Sequence, residues 1–159
     1  MHKPIKDKII SADQVPGILN QALRTSKKIA FTNGCFDIIH RGHIHYLSKA
    51  MEKADILVVG LNTDASVKRL KGADRPVKDE VTRAEVLASM QLIDYVILFG
   101  EDTPLKLITL VRPDILIKGG DYDIHDIVGY KEVMAYGGRV ETIPFLEGYS
   151  TSDLIKKLG

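Results

Sequence analysis

The sequence predicts an α/β protein with a doubly wound parallel sheet of about five strands and flanking helices. Short runs rich in β-branched residues alternate with longer helical patterns along the 159-residue chain. Runs such as "ILVV" and "VILF" are almost continuously apolar, as expected of strands that are buried on both faces of a sheet. The chain length suits one domain with a single core.

Five apolar runs are predicted as strands, and a helical pattern follows each of them. The runs are "KIAF", "ILVVGL", "YVILF", "DILIKGG" and "GRVETIPF". The helical patterns cover approximately 41–54, 79–92, 104–111, 126–137 and 151–158. An earlier helix is predicted over 12–27, with Ser11 as its N-cap. We therefore assign residues 1–28 as a helical extension packed on the domain, and residues 29–159 as the domain itself.

The longest irregular stretch is "KGADRPVKDE", residues 71–80. Gly72 and Pro76 interrupt its periodicity and most of its residues are charged, which predicts a mobile surface loop. We expect Lys71 and Arg75 to be unpaired and solvated in the absence of ligand. The loop would then become ordered over anionic substrates.

Composition and charge exclude several classes of protein. The chain is 45% hydrophobic and 27% charged, and its net charge of +1 gives no basic field for nucleic acid. The single cysteine, Cys35, excludes an internal disulfide and suits a reducing cytoplasm. No apolar run approaches the roughly 20 residues of a membrane span, and the first residues lack the apolar core of a signal peptide. These observations predict a cytoplasmic protein without nucleic-acid or membrane partners.

The strongest functional signal is "FTNGCFDIIHRGHIHYL", residues 31–47, which holds three of the five histidines. It combines a strand, a glycine turn and a helix start, and ligands of open α/β sheets bind beyond the carboxyl ends of strands. Gly34 permits a tight turn whose backbone N–H groups can bind a phosphate. His40 and His43 lie three residues apart, so both can donate a ring N–H group to one phosphate. His45 should point elsewhere and is expected to be structural.

The motif "HRGH", preceded by "TNGCFDII", resembles the HxGH signature of the nucleotidyltransferase superfamily in its cytidylyltransferase-like branch. Three later segments resemble that branch as well: "VVGLNTDASVKRLKG" its second strand and basic helix, "KGGDY" its acidic turn, and "GYSTSDLIKKL" the start of its terminal helix. The pairing of "NTDASVKRLKGADRPV", "EDTPLKLI" and "PDILIKGGDY" is similar to the D-glycero-D-manno-heptose 1-phosphate adenylyltransferase domain. The resemblance covers about 29–158 and implies a Rossmann-like nucleotidyltransferase domain.

This resemblance implies adenylyl transfer from ATP to heptose 1-phosphate, which gives ADP-heptose, a precursor of lipopolysaccharide core or a related glycan, and pyrophosphate. The attacking phosphate is already an anion, so the reaction needs positioning and charge neutralisation rather than a general base. Mg²⁺ is expected on the triphosphate, held mostly by phosphate and water. The family domain is often fused to a sugar kinase, so we expect a stand-alone or excised domain with a separate kinase as pathway partner. A homo-oligomer, such as a dimer, is also expected from the resemblance.

The candidate site residues come from five parts of the chain. We assign catalytic roles to His40, His43 and Lys71. The remaining candidates for nucleotide and sugar binding are Thr32, Asn33, Gly34, Cys35, Phe36, Arg83, Lys118, Gly119, Asp121, Tyr122, Ser150 and Thr151. Cys35 is expected to contribute its backbone, because no partner that would activate its thiol is evident.

A dedicated metal site is not expected. The segment "GGDYDIHDIVG" brings together Asp121, Asp123, His125 and Asp126. Asp126 stands where a calcium-binding loop requires a glycine.

Three other functions stay open. The chain could be a nucleotidyltransferase that uses CTP or ATP with another sugar or alcohol phosphate, such as glycerol 3-phosphate. It could be a nonenzymatic nucleotide sensor, although the two histidines and the surrounding cations argue for turnover. A dinucleotide-dependent oxidoreductase is disfavoured because no GxGxxG follows the first strand.

The segment before the Ser/Thr motif bears on the choice of nucleotide. Related glycerol-phosphate cytidylyltransferases carry an arginine a few residues before their Ser/Thr motif. Here Phe145 and Leu146 occupy that region. This difference disfavours CTP, but no residue is assigned to select adenine.

Overall fold

The computed structural model describes residues 2–158, and within them six strands form one parallel sheet. The strands are β1 (Ile9–Ile10), β2 (Ile29–Gly34), β3 (Ile56–Asn62), β4 (Tyr95–Phe99), β5 (Ile115–Gly119) and β6 (Arg139–Ile143). Their order across the sheet is β1-β4-β3-β2-β5-β6. The predicted doubly wound α/β fold is confirmed, with one strand more than expected. The additional strand β1 has only two residues, which is too short for an apolar pattern to reveal.

Helices connect the strands and cover both faces of the sheet. They are α1 (Ile5–Lys8), α2 (Val15–Ile18), α3 (Gln21–Ser26), α4 (Arg41–Met51), α5 (Asp64–Lys71), α6 (Glu80–Ala88), α7 (Leu105–Val111), α8 (Tyr130–Ala135) and α9 (Thr151–Leu158). Short 3₁₀ turns occupy Ala12–Gln14 and Ile124–Asp126. Polar caps fix several helix starts: the side chains of Thr63 and Asp79 accept N–H groups of α5 and α6, respectively.

Two apolar clusters form the core, one on each face of the sheet. The alternation along β2 illustrates the division: Ile29 and Phe31 belong to one cluster, and Ala30 belongs to the other. The first cluster includes residues of α2, α7 and α8, and the second includes residues of α4 and α6. This two-sided burial explains why the strands read as continuous apolar runs.

The N-terminal region differs from the single helix predicted over 12–27. Ser11 does stand at the N-cap of a helical turn, where its N–H donates to the Gln14 side chain, but the turn is 3₁₀ and leads into the short α2. The chain leaves helical geometry at Leu19, and the Asn20 side chain accepts the Leu23 N–H to begin α3. A good N-cap residue in the middle of the segment therefore starts a new helix.

The helix predicted over 126–137 is also shorter than expected. The Asp123 side chain caps the 3₁₀ turn at Ile124–Asp126, and α8 begins only at Tyr130. Between them Gly129 has a φ of 95°, which breaks the helical path.

Candidate active site at the carboxyl ends of the strands

A cavity of about 580 Å³ opens at the carboxyl ends of β2 and β5. β2 lies between β3 and β5, so the sheet winds in opposite directions from this point. β2 pairs with β3 from Ile29 to Gly34 but with β5 only at Ala30 and Phe31. The cavity therefore lies at the topological switch point, where ligands bind in open α/β sheets.

The turn after β2 forms one side of the cavity. Asn33, Gly34, Cys35 and Phe36, for which nucleotide contacts are predicted, all line it. Phe36 adopts a φ of 45° and folds its ring back into the core. A Cβ atom on Gly34 would lie 2.9 Å from that ring, so the turn requires glycine here.

His40 and His43 line the cavity together, at the start of α4. His40 is the N-cap: its Nδ1 accepts the Gly42 N–H at 3.1 Å. The His43 Nδ1 accepts the His40 N–H at 3.3 Å, which completes a capping box built from two histidines. The two rings stack with their centroids 3.9 Å apart.

These hydrogen bonds determine the tautomer of both histidines. Each Nδ1 accepts a backbone N–H group, so in the neutral ring the proton lies on Nε2. Burial lowers the pKa of His40. Burial, with a smaller effect of His40, lowers the pKa of His43 to about 4. At neutral pH the pair therefore presents two neutral Nε2–H donors.

The Gly42 position, between the two histidines, requires glycine, and the third histidine of the motif lies elsewhere. A Cβ on Gly42 would lie 2.8 Å from the His40 ring and 3.0 Å from the Cβ of Tyr149. Glycine therefore admits both the capping ring and the C-terminal segment. His45 is outside the cavity lining, and its structural role stays a prediction.

Three cations from different elements line the cavity. Lys71 ends α5 and is exposed, Arg75 lies in the following loop, and Lys118 is half-buried near the end of β5. Burial is the main cause that lowers the pKa of Lys118, and the charge of Lys71 lowers it further. The cavity can therefore receive an anionic ligand from more than one direction.

The start of α9 faces the same cavity. Ser150 and Thr151, both predicted site residues, line it. The Ser150 Oγ accepts the Asp153 N–H at 3.0 Å, and the Thr151 hydroxyl donates to the Ile38 carbonyl at 3.3 Å. The partial positive charge of this helix end adds to that of α4.

Apolar side chains form the remaining wall. Tyr122, Phe145, Leu146 and Tyr149 line the cavity, and Phe145 keeps 65% of its surface exposed. A Cβ on Gly119 would lie 2.8 Å from the Phe145 ring, so the ring lies directly against the backbone of this predicted site residue. The signal for Phe145 in the sequence was its place before the Ser/Thr motif.

Three predicted binding residues do not line the cavity. Thr32 is fully buried and its hydroxyl bonds to the Tyr46 hydroxyl. Arg83 is buried, and its guanidinium donates to the carbonyls of Lys78, Cys35 and Asn62 and to the Asp64 carboxylate. Asp121 is exposed outside the lining. Direct ligand contact by these side chains is thus not supported, and Arg83 instead connects the segments that form the site.

Cys35 lines the cavity, and its expected role through the backbone rather than the thiol stays a prediction. Burial is the main cause that raises the pKa of the Cys35 thiol, although nearby cations oppose it. A thiol that stays protonated is a poor nucleophile. Its carbonyl accepts a hydrogen bond from Arg83 at 2.8 Å, which fixes the turn.

Sequence reasoning missed Asp37 and Tyr46, which both line the cavity. Asp37 follows the turn and accepts hydrogen bonds from the loop at 75–78. Burial alone would raise the pKa of Asp37, but those hydrogen bonds and the Arg75 charge outweigh it and lower the pKa. The signal for Asp37 was its place in "TNGCFD", at the end of the strand-end turn.

The expectation that Arg75 is unpaired in the free protein is wrong. Its Nε donates to Asp37 at 3.1 Å, and its side chain is only 15% exposed. Lys71 is exposed, as expected. The loop is therefore exposed at residues 72–74 and is held by hydrogen bonds to Asp37 from Arg75 onward.

Residues 2–158 contain neither a metal-binding cluster nor a membrane-spanning helix. No group of three or more His, Cys, Asp and Glu side chains in this part of the chain is arranged to hold a metal ion. No helix there has the length and apolar character needed to cross a membrane.

Residues 31–157 match the cytidylyltransferase-like family. The bifunctional protein HldE of Citrifermentans bemidjiense is 54% identical over 156 residues, and that of Geobacter metallireducens is 50% identical over 157. These matches cover 98% and 99% of this chain and 32% of each relative, so the chain spans about a third of their length.

Solved structures agree with this match. The lipopolysaccharide core biosynthesis protein from Thermoplasma volcanium is 30% identical, with a TM-score of 0.64 over 79% of this chain and 100% of that one. Pantoate-beta-alanine ligase from Francisella tularensis, at 14% identity, a TM-score of 0.61 and coverage of 92% and 75%, shares the fold. With an HxGH helix start at the switch point of a matching fold, the chain belongs to the cytidylyltransferase-like family and is a nucleotidyltransferase.

Proposed function

We propose that the protein transfers the adenylyl group of ATP to D-glycero-D-manno-heptose 1-phosphate and forms ADP-heptose and pyrophosphate. The observation that carries this proposal is the pair of neutral Nε2–H donors of His40 and His43 at the start of α4. Membership of a nucleotidyltransferase family supports it, as does the identity of 54% with a bifunctional protein HldE.

In this reaction an oxygen of the sugar phosphate attacks the α-phosphorus of ATP. A new P–O bond forms, the bond from the α-phosphorus to the bridging oxygen breaks, and pyrophosphate leaves with the electron pair. The acceptor is already ionised at neutral pH, so no side chain has to remove a proton. Negative charge grows on the α-phosphoryl oxygens and on the leaving group, where fixed donors are most effective.

The residues of the cavity suit these tasks. The Nε2–H groups of His40 and His43 would bind phosphate oxygens without the cost of desolvating an imidazolium cation. Lys71, Arg75 and Lys118 would balance the charge of the two substrates. The start of α9 would add backbone N–H groups.

Mg²⁺ is proposed as the ion that accompanies ATP. The lining offers two carboxylates, Asp37 and Asp102, and Asp37 is already occupied by the loop. This donor set fits an ion held mainly by phosphate oxygens and water, as is usual for magnesium in triphosphate sites. When bound, the ion would neutralise charge on the leaving pyrophosphate.

The apolar wall supports ATP over CTP. Phe145 and Tyr149 offer ring surface on which a base can stack, and a purine presents the larger face. Related glycerol-phosphate cytidylyltransferases carry an arginine in this region, whereas here Phe145 and Leu146 occupy it.

The test is release of pyrophosphate from ATP and from CTP, each with heptose 1-phosphate, with other sugar 1-phosphates and with glycerol 3-phosphate. We expect the highest kcat/KM for ATP with heptose 1-phosphate. Equal or faster turnover with CTP would reject the choice of nucleotide. Faster turnover with glycerol 3-phosphate would favour the second candidate, an alcohol-phosphate nucleotidyltransferase.

A phosphorylating enzyme must supply the sugar 1-phosphate. The curated relatives are bifunctional and about three times as long as this chain, which supports a sugar kinase as the partner in the pathway. Homo-oligomerisation stays a prediction.

A further inference from the structure

Asp37 connects the turn that follows β2 with the loop that follows α5. Its side chain is 1% exposed and accepts the Val77 N–H at 2.8 Å and the Lys78 N–H at 2.9 Å. It also accepts the Nε–H of Arg75 at 3.1 Å. A buried carboxylate with charged and backbone donors on both oxygens holds its partners in one geometry.

Arg75 is bound through one edge of its guanidinium. The hydrogen bonds found within residues 2–158 engage its Nε and neither of its terminal nitrogens. Arg83 differs, because protein acceptors engage its Nε and both of its terminal nitrogens, and it stays outside the cavity lining. Arg75 does line the cavity, with Lys71 and Lys118. Its terminal N–H groups are therefore available to a ligand.

A guanidinium fixed at Nε presents two parallel donors, a geometry that matches two oxygens of a phosphate. Fixing the side chain before the ligand arrives removes the conformational entropy that a free arginine would lose on binding. Asp37 and Arg83 together fasten the same stretch: Arg83 donates to the carbonyl of Lys78, whose N–H donates to Asp37.

We propose that Asp37 is a positioning residue that aims Arg75 at a phosphate group of the substrates. This inference rests on the proposed phosphate chemistry of the cavity. The phosphate belongs either to the nucleotide or to the sugar 1-phosphate, two sources of the same ligand chemistry. The segment from Arg75 onward is thus a preformed part of the phosphate site.

The test measures binding by calorimetry, with inorganic pyrophosphate, ATP with Mg²⁺, and glucose 1-phosphate as separate probes. We expect Arg75→Ala to weaken at least one of them by about 10- to 100-fold, the range for losing charged hydrogen bonds. Asp37→Asn keeps an acceptor for the backbone N–H groups but loses the charge that orients Arg75. It should weaken the same probe. Arg139→Ala, whose side chain is 67% exposed at the start of β6, is the matched control and should leave binding unchanged.

The double variant Asp37→Asn/Arg75→Ala separates positioning from general structural support. If Asp37 acts through Arg75, the double variant should bind the probe no more weakly than Arg75→Ala alone. An additional loss of the same size as in the wild-type background would overturn the proposal. So would unchanged binding of all three probes in Arg75→Ala. Loss with pyrophosphate and ATP would assign the nucleotide side, and loss with glucose 1-phosphate the acceptor side.

These measurements do not depend on turnover. If the heptose reaction were absent, pyrophosphate binding and its dependence on Asp37 would still be measurable. Melting temperatures accompany each variant. A lower melting temperature of Asp37→Asn with unchanged affinity would contradict the proposal and leave Asp37 with a purely structural role.

Discussion

At the scale of single residues, His40 combines a structural and a chemical role in one ring. Its Nδ1 caps α4, so the proton of the neutral ring lies on Nε2, and the residue lines the cavity. The His43 Nδ1, within the helix, likewise accepts a backbone N–H group, that of His40. Backbone N–H groups thereby hold both rings in the tautomer that donates. An alanine substitution at His40 removes both roles together, so the two must be separated by choice of variant.

His40→Ala and His43→Ala should each lower turnover by roughly 10²–10³-fold, as expected for loss of one fixed charge-stabilising donor. His40→Ala should also lower the free energy of unfolding by about 0.5–2 kcal/mol through loss of the cap. His40→Asn should recover that stability, because asparagine caps well, while turnover stays low. His45→Ala is the control and should cost far less activity. Equal losses of activity at all three positions would indicate damage to the helix.

The protonation of His43 should appear in the pH dependence of stability. Its pKa is about 4 in the folded protein, against 6.5 ordinarily, so folding favours the neutral ring. The stability that it contributes is present above about pH 6.5 and is lost as the pH falls towards 4. Urea unfolding from pH 8 to 4 should show this decline, and His43→Gln should reduce it. Nitrogen NMR that finds His43 protonated at pH 6 would contradict the assignment.

At the scale of elements, Tyr46 joins α4 to two strands where they separate. Its hydroxyl bonds to the Thr32 hydroxyl of β2 and donates to the Ile117 carbonyl of β5 at 3.3 Å. Burial raises its pKa to about 12, so the group stays a neutral donor. Beyond Phe31, where direct pairing of β2 with β5 ends, this side chain connects the two strands beneath the cavity.

Tyr46→Phe should lower the free energy of unfolding by about 1–3 kcal/mol, because it leaves buried polar groups without their partner. Thr32→Val should cost a similar amount, and the double variant less than the sum of the two. Urea unfolding measures all three variants. Tyr95→Phe removes an exposed hydroxyl that accepts from Lys3, so it should change stability little. Fully additive losses would show that the two hydroxyls do not act together.

The loop at 71–80 should exchange its amide hydrogens unevenly. Ala73 and Asp74 are exposed and no backbone hydrogen bond within residues 2–158 engages their N–H groups, so these amides should exchange fast. The amides of Val77 and Lys78 donate to the buried Asp37 and should exchange slowly even without ligand. Mass spectrometry or NMR of the free protein measures this contrast, and Asp37→Asn should reduce it. Fast exchange across the whole loop would restore the mobile lid that its charged sequence predicted.

Features that depend on neighbouring residues were easier to predict from the sequence than features that depend on residues far apart in the chain. The start of α4 was predictable because His40, Gly42 and His43 lie within four residues. The role of Arg83 was not predictable, because no local sequence pattern shows which distant groups one side chain will bind. Its hydrogen-bond acceptors belong to Cys35, Asn62, Asp64 and Lys78. Arg75 was expected to be free for the same reason: its partner is 38 residues away.

At the scale of the whole molecule, the N-terminal region is part of the core. Ile10, Val15 and Leu19 are each no more than 5% exposed and belong to the cluster that includes β2 and α7. β1 pairs with the edge of β4. The region therefore contributes to the stability of the sheet, although β1 lies on the opposite edge from β6 and none of residues 2–28 lines the cavity.

Leu19→Ala should lower the free energy of unfolding by about 2–5 kcal/mol, the range for a fully buried leucine. Its effect on kcat/KM should be small at temperatures where the protein stays folded. Leu158→Ala, at a side chain that is 80% exposed, is the control and should be nearly neutral. Urea unfolding and pyrophosphate release measure the two effects. Loss of activity without loss of stability would contradict this separation.

The hydrogen bonds that hold the loop after α5 limit where residues can be inserted into it. Asp37 holds the backbone at Val77 and Lys78, and Arg83 holds the Lys78 carbonyl five residues before its own position. An insertion between residues 77 and 83 would move one of these anchors away from the other. An insertion at residues 72–74 would only enlarge an exposed bend. A library of single-residue insertions should therefore retain active members at 72–74 and lose them from 77 to 83.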